Sequence, residues 1–539
     1  MRVDSRMMQK FSAILRFGER CARRYAGLLF IAIPAGFISF HLLKVYWVTA
    51  YAHMATVDLA IFLEGSLSLL EGRPFNNAIQ HIQLLGLEHY ARAETTVPGF
   101  AFHRNFLMIA PALALGVVRN PIVLQLIAVV LTGVAILLTG MLMLRRFGWN
   151  PIAVGTMLVL LMIPAVAHSM CGFSPSVFAQ PLLMGLFILM ERRQSFGAYI
   201  LALLFVLIRE DYAIFLTLLG FYYLFEPGTR RFGIGLIVTG VVYTVFFMFI
   251  WTFQKGNTAD AMTALSLFHY FGTNPSAVIT NMFSDPMRTL EYILRPQALM
   301  YVLALLLPFY PILKRPQFLV VVPMMLIYIL SGMPTALQPH LHYSWPLLAF
   351  LFYLWLRELQ CTAPGWRYVH IGLALLFLLP QNSLVRRPPF ESNIAVGSLI
   401  ARGHTGQRQA IEQWREGQAL EQLLALVPPD EPMAIDLRAR NIWVSALMRS
   451  APVTILPRNL SRVDYVVRVE WPRQRLQSLR TWEAFQTAAR LDAEIFGPPA
   501  NKEWRELYGY DEAEGGRISL WQRTQSPTGA NANESMYAE

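Results

Sequence analysis

The chain has 539 residues, of which 55% are hydrophobic and only 15% charged. Soluble domains carry about 25% charge, so the composition excludes an ordinary water-soluble enzyme and places the chain among membrane proteins. The net charge of +11 does not imply nucleic acid, because Lys and Arg punctuate apolar runs as topology markers and form no single patch.

Arg2, Arg6, Lys10, Arg16, Arg20, Arg23 and Arg24 precede the apolar run Ala26 to Ala50. A leader this basic, followed by a long run with no small-residue cleavage site, predicts an uncleaved first helix that starts in the cytoplasm, with residues 1–25 as a basic cytoplasmic N-terminus. The chain is then outside from Tyr51. Asn105 to Val118 is short of the ~20 residues a crossing takes and suits an interfacial helix. The first outer region therefore runs over residues 51–121.

Ile122 to Leu144 returns to Arg145-Arg146, Pro151 to Ala167 goes out, and Pro175 to Met190 comes back to Glu191-Arg192-Arg193. The apolar block Phe196 to Phe225 is interrupted at its centre by Arg209-Glu210-Asp211. Basic residues flank it on both sides, so it reads as a hairpin with its charged apex outside. Phe232 to Trp251 crosses out to a second outer loop, 252–296. Gln297 to Leu313 returns to Lys314-Arg315, Gln317 to Gly332 crosses to a short outer loop, 333–343, and Ser344 to Leu356 returns to Arg357 and Glu358. Trp366 to Pro380 is the last crossing. Residues 26–380 thus predict a polytopic α-helical membrane domain with about 11 crossings, which leaves the C-terminus outside.

From Gln381 the composition turns charged and polar, with Arg386-Arg387-Pro388-Pro389 as a linker. Ile411 to Leu426 has helical periodicity, while Met433 to Asp436 and Asp464 to Val469 read as short strands. Residues 381–525 are expected to form a small extramembrane α/β domain, and 526–539 a disordered tail. Cys21, Cys171 and Cys361 fall on different sides of the predicted membrane, which excludes a disulfide framework, and no zinc pattern is present. In a bacterium the membrane would be the inner membrane and the outer side the periplasm.

Ionisable groups within apolar segments are costly and line cavities or pair with one another. On this topology Asp58, His103, Arg104, Arg209, Glu210, Asp211, Arg295, His340 and His342 all lie toward the outer face. Each has a plain structural reading beside the functional one. Asp58 can cap a helix spanning Leu59 to Leu70. The Arg209-Glu210-Asp211 triplet can be a solvated apex with an internal Arg to carboxylate pair. His103 can be an ordinary interfacial histidine, or can hold a phosphate together with the following helix start. His340 and His342 have His-x-His spacing but no third ligand nearby, which favours substrate contact or structure over metal. Trp47, Tyr51, Trp251, Tyr343 and Trp345 fall at predicted helix ends and read as an aromatic belt.

Three segments carry a resemblance. They are Val57-Asp58-Leu59-Ala60-Ile61-Phe62 with Glu71-Gly72-Arg73-Pro74-Phe75, then Ile208-Arg209-Glu210-Asp211-Tyr212, then His342-Tyr343-Ser344-Trp345-Pro346, with a weaker fourth in Val463-Asp464-Tyr465-Val466-Val467. On these the chain resembles the bacterial membrane family called domain of unknown function 2079. More broadly it is similar to the GT-C fold glycosyltransferases, which use polyprenyl-phosphate sugars. His103 is followed by Arg104-Asn105 where the family has aromatic and Ser-Pro residues, Arg209 stands where Lys is common, and Ala60 where Gly is common.

The resemblance implies a GT-C-like fold and transfer of a sugar from a polyprenyl-phosphate donor to an acceptor at the periplasmic face. Asp58 would be the base. His103, Arg104, Arg209, Glu210, Asp211, Arg295, His340, His342 and Tyr343 would contact substrate. The cofactor is left unknown, with a divalent metal open, and the partners implied are the lipid-linked donor, the bilayer and an unspecified acceptor. Two other readings stay open: a lipid or solute transporter or flippase, and a non-catalytic membrane scaffold.

Overall fold

A computed structural model describes residues 25–46, 57–73, 105–170, 173–246, 268, 271, 275–330, 337, 344–381, 418–419, 422–435, 453–455, 463–470, 504–511 and 517–524. In chain order the first helices are α1 (Tyr25–Tyr46), α2 (Val57–Leu70), α3 (Ile109–Val117), α4 (Ile122–Phe147), α5 (Pro151–Met162), α6 (Pro164–Ser169) and α7 (Ala179–Glu191). Then follow α8 (Ser195–Val206), α9 (Asp211–Phe225), α10 (Arg230–Thr244), α11 (Pro275–Ser284), α12 (Pro286–Leu294) and α13 (Pro296–Leu306). The last are α14 (Val321–Ile329), α15 (Trp345–Cys361) and α16 (Pro364–Leu378). Among the described residues three helical stretches are long and apolar enough to cross a membrane: α1, α4 and Pro296–Lys314. The chain divides into two compact units: residues 1–43, 105–107 and 127–388, and residues 44–104, 108–126 and 389–539.

In the first unit, helix ends follow local chemistry. Gly148 takes a positive φ of 70° just past α4, and its N–H reaches Leu144 O at 2.8 Å, the closure that a residue without Cβ permits. Asn150 then caps α5, its side chain accepting from Ala153 N at 3.1 Å with Pro151 at the first turn. The run Pro151 to Ala167, expected as one crossing, is broken at Ile163. That residue is extended (φ −60°, ψ 119°) because Pro164 excludes the helical conformation from the residue before it.

The expected hairpin is present as α8 and α9, joined by a four-residue turn, 207–210. Its partner α10 lies against α9 at backbone contact distance: a Cβ on Gly233 would sit 2.8 Å from Gly220 O, and one on Gly240 would sit 2.5 Å from Ala213 O. Small residues are what allow membrane helices to approach this closely. Some of the predicted topology markers also join helices: Arg146 of α4 pairs with Glu191 of α7, and Arg315 with Glu358 of α15. Arg357 pairs with Glu226, which follows α9, at 2.7 Å.

The stretch 252–296, expected as a loop, contains α11 and α12. The reason is local, since Asp285 caps α12 by accepting from Arg288 N at 3.0 Å, with Pro286 at the first turn.

In the second unit α2 begins at Val57 and not at Leu59, so Asp58 stands in the first helical turn and not at the cap position. Leu59, Leu63, Ser66, Leu67 and Ser68 are all buried, as expected of a helix apolar on nearly every face. Gly116 of α3 packs on Leu70 of α2. The same unit holds a five-stranded sheet of β1 (Met433–Ile435), β2 (Val453–Ile455), β3 (Tyr465–Glu470), β4 (Trp504–Asp511) and β5 (Arg517–Arg523), in the order β2-β1-β3-β5-β4. β1 is parallel to β2 and β3, and β5 is antiparallel to β3 and β4. Ala434, Val463, Val466 and Trp504 form its core with Trp521. Of the predicted helix Ile411 to Leu426, residues 418–419 and 422–425 are helical. The tail 526–539 lies outside the described residues.

Candidate functional site

The turn between α8 and α9 places the charged triplet. Leu207 N and Ile208 N reach back to Leu204 O and Phe205 O, each at 3.2 Å, and close α8 tightly. Tyr212 N and Ala213 N in turn bond to Arg209 O and Glu210 O at 3.2 Å and open α9. Arg209 and Glu210 are only 6% and 8% exposed, so the solvated-apex expectation is corrected: the apex is packed inside the unit. The internal pair it came with is present. Arg209 Nε and Nη2 donate to Asp211 Oδ1 and Oδ2 at 2.9 and 3.0 Å, a two-point guanidinium to carboxylate fit that stabilises charge out of water. Asp211 also stands in the first turn of α9, where a negative charge is favoured.

Aromatic side chains enclose this pair. The Arg209 guanidinium lies 5.6 Å from the centre of the Tyr212 ring, which stacks on Phe205 at 4.8 Å. Tyr301 of α13 shares a 3.1 Å hydrogen bond with Ser344 Oγ, buried just ahead of α15. Arg295, immediately before α13, donates to Ile329 O at 2.7 Å and lies 5.2 Å from the Tyr292 ring centre.

Ser344, in the segment His342 to Pro346, is thus tied to α13 through Tyr301, and Arg295 ties the start of α13 to Ile329 of α14. Tyr301 and Ser344 were not nominated from sequence. Their signal was present, because a hydroxyl inside an apolar run needs a partner when buried. Trp345, assigned to an aromatic belt, is instead buried at the start of α15.

Asp58 belongs to the other unit, and its side chain, with His103, Arg104, His340, His342 and Tyr343, lies outside the described residues. Among the described residues no three His, Cys, Asp or Glu side chains gather as metal ligands would. Chemically, the described cluster offers cations held in place by carboxylate and carbonyl partners, a buried carboxyl in Glu210, and phenol and serine hydroxyls.

The profile of a family described as "Predicted membrane protein (DUF2079)" matches residues 50–485. Among solved structures, the chain is similar to ArnT from Cupriavidus metallidurans, crystallised bound to undecaprenyl phosphate. Identity is 12%, with 93% of this chain and 99% of that chain covered and a TM-score of 0.47. No curated protein matches the chain.

Proposed function

The chain belongs to the DUF2079 family of predicted membrane proteins, and from that premise we propose that it transfers a sugar from a polyprenyl-phosphate donor to an acceptor at the periplasmic face of the bacterial inner membrane, on a GT-C-like scaffold. The observation that carries the reading is the Arg209 to Asp211 pair, two-pointed and packed within the segment Ile208 to Tyr212. Arginines with fixed orientation suit an anionic lipid phosphate.

In the reaction, an acceptor hydroxyl oxygen attacks the anomeric carbon of the donor sugar while the bond from that carbon to the phosphate oxygen breaks. The hydroxyl proton passes to the carboxylate of Asp58. Polyprenyl phosphate leaves with its bonding electron pair, and its growing charge is met by Arg209, Arg295 and His103. Glu210 and Asp211 hold Arg209 in place or accept from a sugar hydroxyl. Arg104, His340, His342 and Tyr343 complete the substrate contacts. A divalent metal stays open as a cofactor.

A second reading, a transporter or flippase, draws on the break at Ile163, since interrupted helices are where transporters build their binding sites. One experiment separates the two. Purified protein in sealed vesicles is given a polyprenyl-phosphate donor with radiolabelled sugar and a mixture of lipid and glycan acceptors. The enzyme reading expects label to leave the donor in chemical form, and Arg209→Met to raise the donor concentration required. Label that changes leaflet while remaining on the donor would replace the enzyme by the transporter.

A further inference from the structure

Inside the membrane unit lies a small, partly open space that the site above does not use. It is bounded by Ala135 and Thr139 of α4, Leu160 and Ile163 at the break after α5, Gln180 and Met184 of α7, and Trp345 and Phe352 of α15. It leaves about 20 Å³ for the centre of a water-sized sphere, close to what one water molecule requires.

Two independent features face this space. The first is Gln180, 1% exposed, whose Oε1 and Nε2 are both buried without a protein partner. A buried carboxamide in that condition is destabilising, and such groups in native proteins are answered by water or a ligand. The second is the helix break. Pro164 has no N–H to offer Leu160 O in the usual i to i+4 position, and Ile163 N bonds there instead at 3.2 Å. Irregular backbone at membrane depth is tolerated where it borders protein or a wetted cavity. Thr139 adds a hydroxyl that donates to Ala135 O at 2.6 Å and keeps its lone pairs for another donor.

We infer that this space is a hydration site in the membrane interior, where a water molecule bridges the Gln180 carboxamide to the polar groups at the Ile163 break and to Thr139. The guest must both donate and accept, because Gln180 presents one end of each kind. An acyl chain would leave both ends unsatisfied. The space is too small for a sugar.

Radiolytic hydroxyl labelling of the full-length protein in lipid nanodiscs tests this, since bound water inside a membrane protein oxidises its immediate neighbours. Met184 is 4% exposed and lines the space, whereas Met141 of α4 is 59% exposed on the outer surface of the helix bundle. Bound water reverses the order that exposure would give: Met184 is oxidised faster than Met141, and Gln180→Met removes the excess while Met141 is unchanged. Met184 labelling at or below the Met141 rate in the unaltered protein would overturn the inference without need of any variant. Met184 labelling unaltered in Gln180→Met would overturn the assignment to Gln180.

Discussion

At the scale of single residues, the Arg209 to Asp211 pair is the most consequential interaction in the membrane unit. Both partners are held within one turn, two residues apart, so the pair forms without bringing distant chain together. Its loss is costly all the same. Asp211 is 25% exposed, so removing it is expected to cost less than the about 3 to 5 kcal/mol of a fully buried pair. Asp211→Ala is therefore expected to lower the thermal midpoint of the purified protein clearly, and Arg209→Met, Asp211→Leu together to restore part of it. A double variant as unstable as the single one would show that the charge pair is not what holds the turn. Tyr301→Phe offers a milder test: it deletes the hydroxyl that meets Ser344 Oγ at 3.1 Å while keeping the ring. The expected loss is about 1 kcal/mol, read as a small shift of the same midpoint.

At the scale of elements, α9 is fixed at both ends and along one side. Arg209 and Asp211 sit at its start, Glu226 pairs with Arg357 past its end, and its side meets α10 at Gly220, Gly233 and Gly240. Gly240→Ala places a Cβ 2.2 Å from Thr217 Oγ1 and is expected to cost about 1 to 3 kcal/mol through overpacking. Gly372→Ala, where a Cβ meets nothing within 4 Å, is expected to leave stability unchanged or raised. Equal effects from the two would mean that close approach of α9 and α10 is unimportant. The hairpin itself was legible in sequence because a charged triplet inside an apolar run has few places to go. The burial of its apex was not, since hydropathy reports composition along the chain and says nothing of what packs across it. Ile163 was likewise readable from Pro164, but length alone made Pro151 to Ala167 look continuous. Helices α11 and α12 were hidden because a polar stretch between crossings resembles a loop unless Asp285-Pro286 is read as a helix start. In the sheet, β1 and β3 could be found from their apolar runs. β4 was obscured because Trp504-Arg505-Glu506-Leu507-Tyr508 alternates with charged residues, and a shift in pairing between Glu506 and Tyr508 interrupts the period.

At the scale of the whole molecule, the account depends on which side of the membrane each part faces. The proposed topology puts Cys361, exposed at the end of α15, in the cytoplasm and the sheet in the periplasm. In intact cells with a permeable outer membrane, a membrane-impermeant maleimide is expected to label a single-cysteine Thr524→Cys variant and to spare a variant that retains Cys361 alone. The reverse pattern would invert the topology and remove Asp58 from the periplasmic face. The enzymatic claim itself is tested most directly by one measurement: the single-turnover rate at which labelled sugar leaves its polyprenyl-phosphate carrier, compared between the unaltered protein and Asp58→Asn. A general base contributes about 10²- to 10⁴-fold, so the account predicts a rate lower by that factor with donor binding preserved. Equal rates in the two proteins, or no release of sugar from the carrier by either, would contradict it.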